Sequence, residues 1–211
     1  MENRFLSFGR DGKPVIKSFD GKEYPLPLNP SVSREGRPVV ILAVDCSSSM
    51  EGEKISQAKQ GALDFAGTAL RKGYSMGLIK FDTEASLICE PTINISSISS
   101  AIEKFTAGGI TNLTDALKIA FAKLKGKGGC AVIATDGYPT ERSSALDTAD
   151  RMKKNRIEIL AISTEDADQD FISRLVSRKD LNLKVRDAEL KTGFKRIAEK
   201  LPYKAIGYGG G

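Results

Sequence analysis

The chain of 211 residues contains no histidine and no tryptophan, and its three cysteines are an odd number for a disulfide framework. Without histidine, Ser-His and Cys-His nucleophilic pairs and His-ligated zinc are excluded within the chain. Cys46, Cys89 and Cys130 each lie in an apolar stretch that reads as a strand, the pattern of buried free thiols in a reducing compartment. Residues 1–5 carry charge with no apolar run behind it, and no stretch approaches the ~20 apolar residues that span a bilayer. A cytoplasmic protein with no membrane contact is therefore expected. Aromatic residues make up 7% of the chain, and 32 Lys+Arg are interleaved with 27 Asp+Glu. A nucleic-acid surface needs clustered cations and stacking rings. Nucleic acid is accordingly not an expected partner.

What is present is an ordinary globular mixture, 40% hydrophobic and 28% charged, of a length suited to one domain with an appendage. Residues 1–37 stand apart. They hold Pro14, Pro25, Pro27 and Pro30 with turn signals at Asp11-Gly12 and Asp20-Gly21, which predict an N-terminal arm containing a small hairpin, one strand of it at 14–19. From 38 to 202, apolar runs alternate with amphipathic segments, and a glycine-rich tail follows at 203–211.

Six strands are predicted, at 39–44, 75–81, 85–89, 130–134, 157–162 and 181–185. The first and fourth are apolar throughout, as strands covered on both faces are. Only Asp82, Thr83 and Glu84 separate the second from the third, too few residues for a crossover helix, so those two form an antiparallel hairpin at one edge. Helical spacing of apolar residues appears at 55–69, 98–105, 113–124, 145–153, 170–177 and 187–201. The expectation is an α/β protein: a Rossmann-like doubly wound sheet in the order 3-2-1-4-5-6, strand 3 antiparallel at one edge, with helices on both faces.

Ligands of such sheets sit beyond the carboxyl ends of the strands. There the first strand runs into Asp45-Cys46-Ser47-Ser48-Ser49-Met50. Alternation sends Asp45, Ser47 and Ser49 to one side, giving a carboxylate and two hydroxyls, the hard oxygen donors that Mg²⁺ and Mn²⁺ prefer. Taken alone, this segment equally fits a strand end whose serines cap the next helix. Two further segments favour the ligand pattern. The fourth strand ends in Thr135-Asp136-Gly137, a second carboxylate on a neighbouring strand. A flexible loop, Gly108-Gly109-Ile110-Thr111, brings the Thr111 hydroxyl to the same crevice, with Thr114 expected to cap the helix that follows. Asp82, Glu84 and Glu90 read as solvated edge charges. The acidic run at 165–170 lacks the spacing of a calcium loop, so Asp168 or Asp170 is expected to cap a helix.

On these residues the chain resembles the von Willebrand factor type A (vWA) domains, which include the integrin I domains. The resemblance covers roughly residues 38–201. The three-part metal-ion-dependent adhesion site of that family falls on Asp45, Ser47 and Ser49, on Thr111, and on Asp136. It implies a non-catalytic, metal-dependent protein-interaction module, expected as an intracellular adaptor. The metal would be Mg²⁺ or Mn²⁺, with Ca²⁺ less suited, and a protein partner would supply an Asp or Glu carboxylate to it. Cytoplasmic proteins of the family serve beside AAA+ ATPases or in stress and defence systems, so a component of such a system is an expected partner.

Two alternatives are weighed against this. A phosphotransferase or hydrolase dependent on Mg²⁺, of the haloacid dehalogenase type, would carry Asp-x-Asp, yet Ser47 stands where its second acid works as the proton donor. A metal-free scaffold would have no use for the complete donor set. Nucleotide-binding glycine motifs are absent from the sequence.

Overall fold

The computed structural model describes residues 37–127 and 129–201 in full, and ahead of them the backbone of three strands. The chain divides into two units, residues 1–36 and 37–211. In the first, β1 (Arg4–Phe8), β2 (Pro14–Ser18) and β3 (Glu23–Pro25) form an antiparallel meander, with Leu6 opposite Ile16 and Ile16 opposite Tyr24. The expected hairpin thus has a third strand. Its turn signals Asp11-Gly12 and Asp20-Gly21, like the tail at 203–211, lie outside the described residues.

The second unit runs β4 (Val39–Asp45), α1 (Glu53–Arg71), β5 (Ser75–Phe81), β6 (Ala85–Thr92), α2 (Ile95–Ile102), α3 (Leu113–Leu124), β7 (Gly129–Thr135), α4 (Arg142–Lys154), β8 (Glu158–Thr164), α5 (Gln169–Leu175), β9 (Asn182–Val185) and α6 (Leu190–Lys200). The sheet order is β6-β5-β4-β7-β8-β9, parallel throughout except for the edge strand β6. This is the predicted order 3-2-1-4-5-6.

Every residue of β4 is buried, which a run of Val, Ile, Leu and Ala permits and which its central position requires. Because side chains alternate along a strand, β4 feeds two cores. Val40, Leu42 and Val44 pack with α1, α2 and α6 residues such as Phe65, Ile98 and Phe194. Val39, Ile41 and Ala43 pack on the other side with Leu117, Ala149 and Phe171 of α3, α4 and α5. With both faces covered, β4 meets polar side chains at its carboxyl end.

Four local readings differ. Strand β6 continues past Cys89 through Pro91, tolerated because an edge strand has one unpaired side; its register shifts against β5, and Cys89 there is only half-buried. Helix α2 closes at Ile102, leaving Phe105 buried beyond it. A short 3-10 turn, Asp187–Glu189, precedes α6. Thr114 does not cap α3: Asn112 does, accepting the Asp115 amide at 3.2 Å, while the Thr114 hydroxyl donates to the Glu141 carbonyl at 3.2 Å. Asp168 caps α5 as expected, accepting the Phe171 amide at 3.0 Å.

Helix α1 lies close to α6 because its buried face is small, built on Ala58, Gly61, Ala62, Ala66 and Ala69 around Phe65. A Cβ at Gly61 would lie 2.5 Å from the Phe194 ring, whereas one at Gly67 in the same helix would meet only the Arg71 guanidinium at 3.4 Å. Intrinsic propensity favours alanine at both by up to ~1 kcal/mol, so space decides the sign. Gly61→Ala is expected to destabilise by about 1–3 kcal/mol through overpacking and Gly67→Ala to be neutral or mildly stabilising, as read from the urea midpoint of each variant.

Candidate metal-binding site

Strand β4 ends on Asp45, whose carboxylate is fully buried. Its two oxygens are each engaged, Oδ1 by the Ser47 amide at 2.9 Å and Oδ2 by the Thr135 hydroxyl at 2.6 Å. A buried carboxylate needs such donors, and the chain supplies them from the next turn and from the end of the neighbouring strand β7. Even so, burial dominates over these bonds and pushes the Asp45 pKa up to about 6.

Beyond Asp45 the serines do not cap α1. They lead into a 3-10 turn, Ser48–Met50, and Gly52 at φ +78° begins the helix. The Ser47 and Ser49 hydroxyls are 3.0 Å apart, and Ser49 donates to Asp136 Oδ1 at 2.7 Å. Asp136, immediately after β7, also accepts the Lys54 ammonium on Oδ2 at 2.6 Å. Partial burial works against the charge of Lys54, but its bonds to Asp136 and Asp187 outweigh that and raise its pKa.

The Thr111 loop is held rather than loose. The Gly108 amide donates to the Cys46 carbonyl at 2.8 Å, and the Ser48 amide and hydroxyl donate to the Gly109 carbonyl at 3.1 and 3.0 Å. The Asn112 amide donates to the Asp82 carbonyl at 2.8 Å, and the Thr140 amide to that of Thr111 at 3.2 Å. Gly109 adopts φ +76°, and a Cβ there would collide with Thr83, so the glycine serves a fixed close approach. The flexibility expected from its composition is taken up by these bonds.

The pieces converge at one point. A Cβ built on Gly137 would lie 3.2 Å from Thr111 Oγ1, 3.8 Å from Ser49 Oγ and 3.9 Å from Asp45 Oδ2. Three oxygens from two chain segments thus border the space that the absent side chain of Gly137, on a third, leaves open. The donor set is two carboxylates and three hydroxyls; among the described residues, no group of three or more His, Cys, Asp or Glu is placed to hold a metal. Such a set suits a small hard cation that retains water, and the residues present fit that group.

The profile of the von Willebrand factor type A domain matches residues 40–196. This chain belongs to that family. Within it, the chain is 28% identical over 117 residues to inter-alpha-trypsin inhibitor heavy chain H1 of Sus scrofa, an alignment covering 48% of this chain and 13% of that protein. In fold it is similar to the vWF domain of the type V pili tip protein Mfa5 from Porphyromonas gingivalis, with a TM-score of 0.70 at 13% identity, over 78% of this chain and 95% of that one. It is similar also to proximal thread matrix protein 1 of the mussel byssus, in a structure described as having a zinc-occupied MIDAS motif, with a TM-score of 0.67 at 17% identity, over 79% of this chain and 46% of that one.

All five sequence-predicted residues of this vWA chain stand at the carboxyl ends of β4 and β7 or on the adjoining loop, and the structure brings Asp45, Ser47, Ser49, Thr111 and Asp136 together through the contacts above. Sequence reasoning missed Thr135 and Lys54. Thr135 read only as part of the Thr135-Asp136-Gly137 segment that ends the fourth strand. Lys54 carried a usable signal: a cation in the first turn of a helix opposes the macrodipole, which suggests nearby acids to hold it. The edge charges are partly tied, Asp82 to Lys80 at 2.9 Å and Glu90 to Lys123 at 2.6 Å.

The raised Asp45 pKa has a definite sign in linkage. Between the ordinary aspartate value of 3.8 and the folded value of about 6, the folded state holds more protons than the unfolded, so stability falls as pH rises through that window. The ionised form at neutral pH costs about 2–3 kcal/mol at these values. Urea unfolding in chelator from pH 4 to 7 should show that slope in the wild type, and Asp45→Asn should remove it.

Proposed function

We propose that this chain is a metal-dependent protein-interaction module. A divalent cation, Mg²⁺ or Mn²⁺ ahead of Ca²⁺, is held by the hydroxyls of Ser47, Ser49 and Thr111, with Asp45 and Asp136 ligating it directly or through water. The observation that carries this reading is the open point beside Gly137, ringed by oxygens of Thr111, Ser49 and Asp45. The cation supplies an electrophilic position for an Asp or Glu carboxylate of a partner protein. The chain's own groups prepare that position: three hydroxyls are neutral, and the charge of Asp136 is offset by Lys54. Among the described residues, Asp45 is then the carboxylate of the site with no ion pair, so little protein charge competes with the partner's anion.

Ile110, 53% exposed, adjoins Thr111 in sequence, and Tyr138, 63% exposed, follows Gly137. These exposed side chains, next in sequence to residues of the site, offer a partner contacts around its carboxylate. Membership of the vWA family and the zinc-bound motif of the byssus protein support a metal at this place in the fold. A role as adaptor, and a cytoplasmic setting suited to the thiols of Cys46 and Cys89, belong to the same proposal.

Calorimetric titration of MgCl₂ and MnCl₂ into the chain tests it. Both ions are expected to bind the wild type and neither to bind Asp45→Ala measurably; wild-type protein that takes up neither ion contradicts the reading. Gly137→Val, which keeps every ligand but fills the space between them, is expected to lose metal binding as well. Thr111→Ala, by contrast, should retain metal binding within about tenfold, since two serines and two aspartates remain. It should lose more in a pull-down of partner proteins in Mg²⁺ than in metal affinity. Equal losses in the two assays would reduce the site to a structural metal.

A further inference from the structure

The end of the sheet opposite the candidate metal site carries a different surface. Thr92, Met76, Val40, Cys130 and Glu158 pair in one row across β6, β5, β4, β7 and β8. Beyond that row lie the turn from β6 into α2 on one side and the connections entering β7 and β8 on the other. Those two connections, 123–129 and 151–157, contain Lys and Arg but no Asp or Glu. Lys123 is paired with Glu90 and Lys153 with Asp150. The exposed side chains of Lys125, Lys127, Arg151, Lys154 and Arg156 have no ion pair among the described residues. A cation in the last turn of a helix answers its dipole, which accounts for Lys125 and Lys154 at the ends of α3 and α4. Lys127 and Arg156 lie past that reach. Arg156 also holds φ +59°, a conformation in which glycine is the favoured residue after a helix. A long cation is thus kept where the backbone alone favours glycine. Arg151 and Lys125 stand over the Phe121 ring, 5.4 and 5.8 Å from its centroid, so one ring gathers cations from both helices. Across the row, Ile93 and Ile95 are 54% and 43% exposed. They flank Asn94, which accepts the Ser96 and Ser97 amides at 3.0 and 3.2 Å and fixes the turn. Ile93 precedes this cap, in the position that commonly packs on the fourth helical residue, here Ile98, yet more than half of it stays in solvent.

From this arrangement we infer that the amino end of β4, with the turns around it, docks on an anionic lipid bilayer, the cations meeting headgroup phosphates while Ile93 and Ile95 enter the interface. From β6 to β7 is three strand spacings, about 14 Å, so the isoleucines and the cations are separate anchors. A bilayer is laterally continuous, and separate anchors all engage it; a protein partner would need a matching face across the gap. Basic residues and apolar side chains together supply the two signals that stable surface attachment takes. Nucleic acid would use the cations and leave the isoleucines idle, and among the described residues the exposed aromatic, Tyr138, lies at the other end of the sheet. No helix of the described residues is long and apolar enough to cross a membrane, and this mode needs none, since the protein lies on the surface. The metal site, at the carboxyl ends of the strands, then faces away from the lipid.

The test is cosedimentation of the full chain, in chelator, with phosphatidylcholine vesicles containing roughly 30% phosphatidylserine and with vesicles of phosphatidylcholine alone. The wild type is expected to bind the anionic vesicles and to be released from them as salt is raised. Arg156→Gly should weaken that binding about fivefold while holding or raising the urea midpoint, a combination that damage to the fold would not produce. Lys127→Gln should weaken it by a similar factor. Ile93→Ser and Ile95→Ser should each weaken vesicle binding several-fold and leave any binding to a short DNA duplex unchanged. Wild type that stays in solution with the anionic vesicles, isoleucine variants that bind them like the wild type, or a duplex bound more tightly than the vesicles would each overturn the inference. Because chelator is present throughout, the metal reading stands or falls separately.

Discussion

A carboxylate at the end of a strand with no solvent on either face is the constraint on which the rest of the site depends. Strand β4 is central and wholly buried, so the Asp45 carboxylate is delivered into a dry mouth between two cores. Desolvation there is costly and lifts its pKa to about 6. The cost can be met by donors or by a cation. The Ser47 amide and the Thr135 hydroxyl meet part of it; the space beside Gly137, bordered also by the hydroxyls of Thr111 and Ser49, is where a cation would meet the remainder. A buried, incompletely compensated anion and a convergent set of neutral oxygen donors are two parts of the same requirement.

The fold holds the three ligand-bearing segments together by different means. Parallel pairing of β4 with β7 sets Asp45 beside Thr135 and Asp136. Backbone hydrogen bonds fasten the Gly108 and Gly109 turn to Cys46 and Ser48. The last connection is electrostatic, from Lys54 on α1 to Asp136 and to Asp187 ahead of α6. Pairing and backbone bonds are geometric and resist change, whereas an ion pair in a partly wet position responds to a new charge nearby.

Much of this was legible in sequence because it follows from periodicity and length. The apolar runs at β4 and β7 marked the sheet centre, and the three-residue gap after Phe81 required the antiparallel edge. Asp45 and Asp136 could be named because they stand at strand ends, Ser47 and Ser49 because alternation carries them to the side of Asp45, and Thr111 because it follows a glycine turn; the family resemblance joined the five. What escaped depended on tertiary context. The course of β6 through Pro91 requires knowing that the strand lies at an edge. Asn112 rather than Thr114 caps α3, although Asn112 with Asp115 three residues later was itself a capping signal. The bond from Lys54 to a carboxylate 82 residues away exists only once α1 has been laid across the sheet. Composition also misled at Gly109, where glycine serves close approach to Thr83 rather than freedom.

The central claim is that the space beside Gly137 is a divalent-cation site. The most direct measurement is the anomalous scattering of a crystal grown or soaked in MnCl₂, collected near the manganese edge. The account predicts one strong peak among the oxygens of Asp45, Ser47, Ser49 and Thr111, absent from a crystal of Asp45→Ala. A map with no peak there, or with manganese only on surface acids such as Asp166 or Glu165, would contradict it.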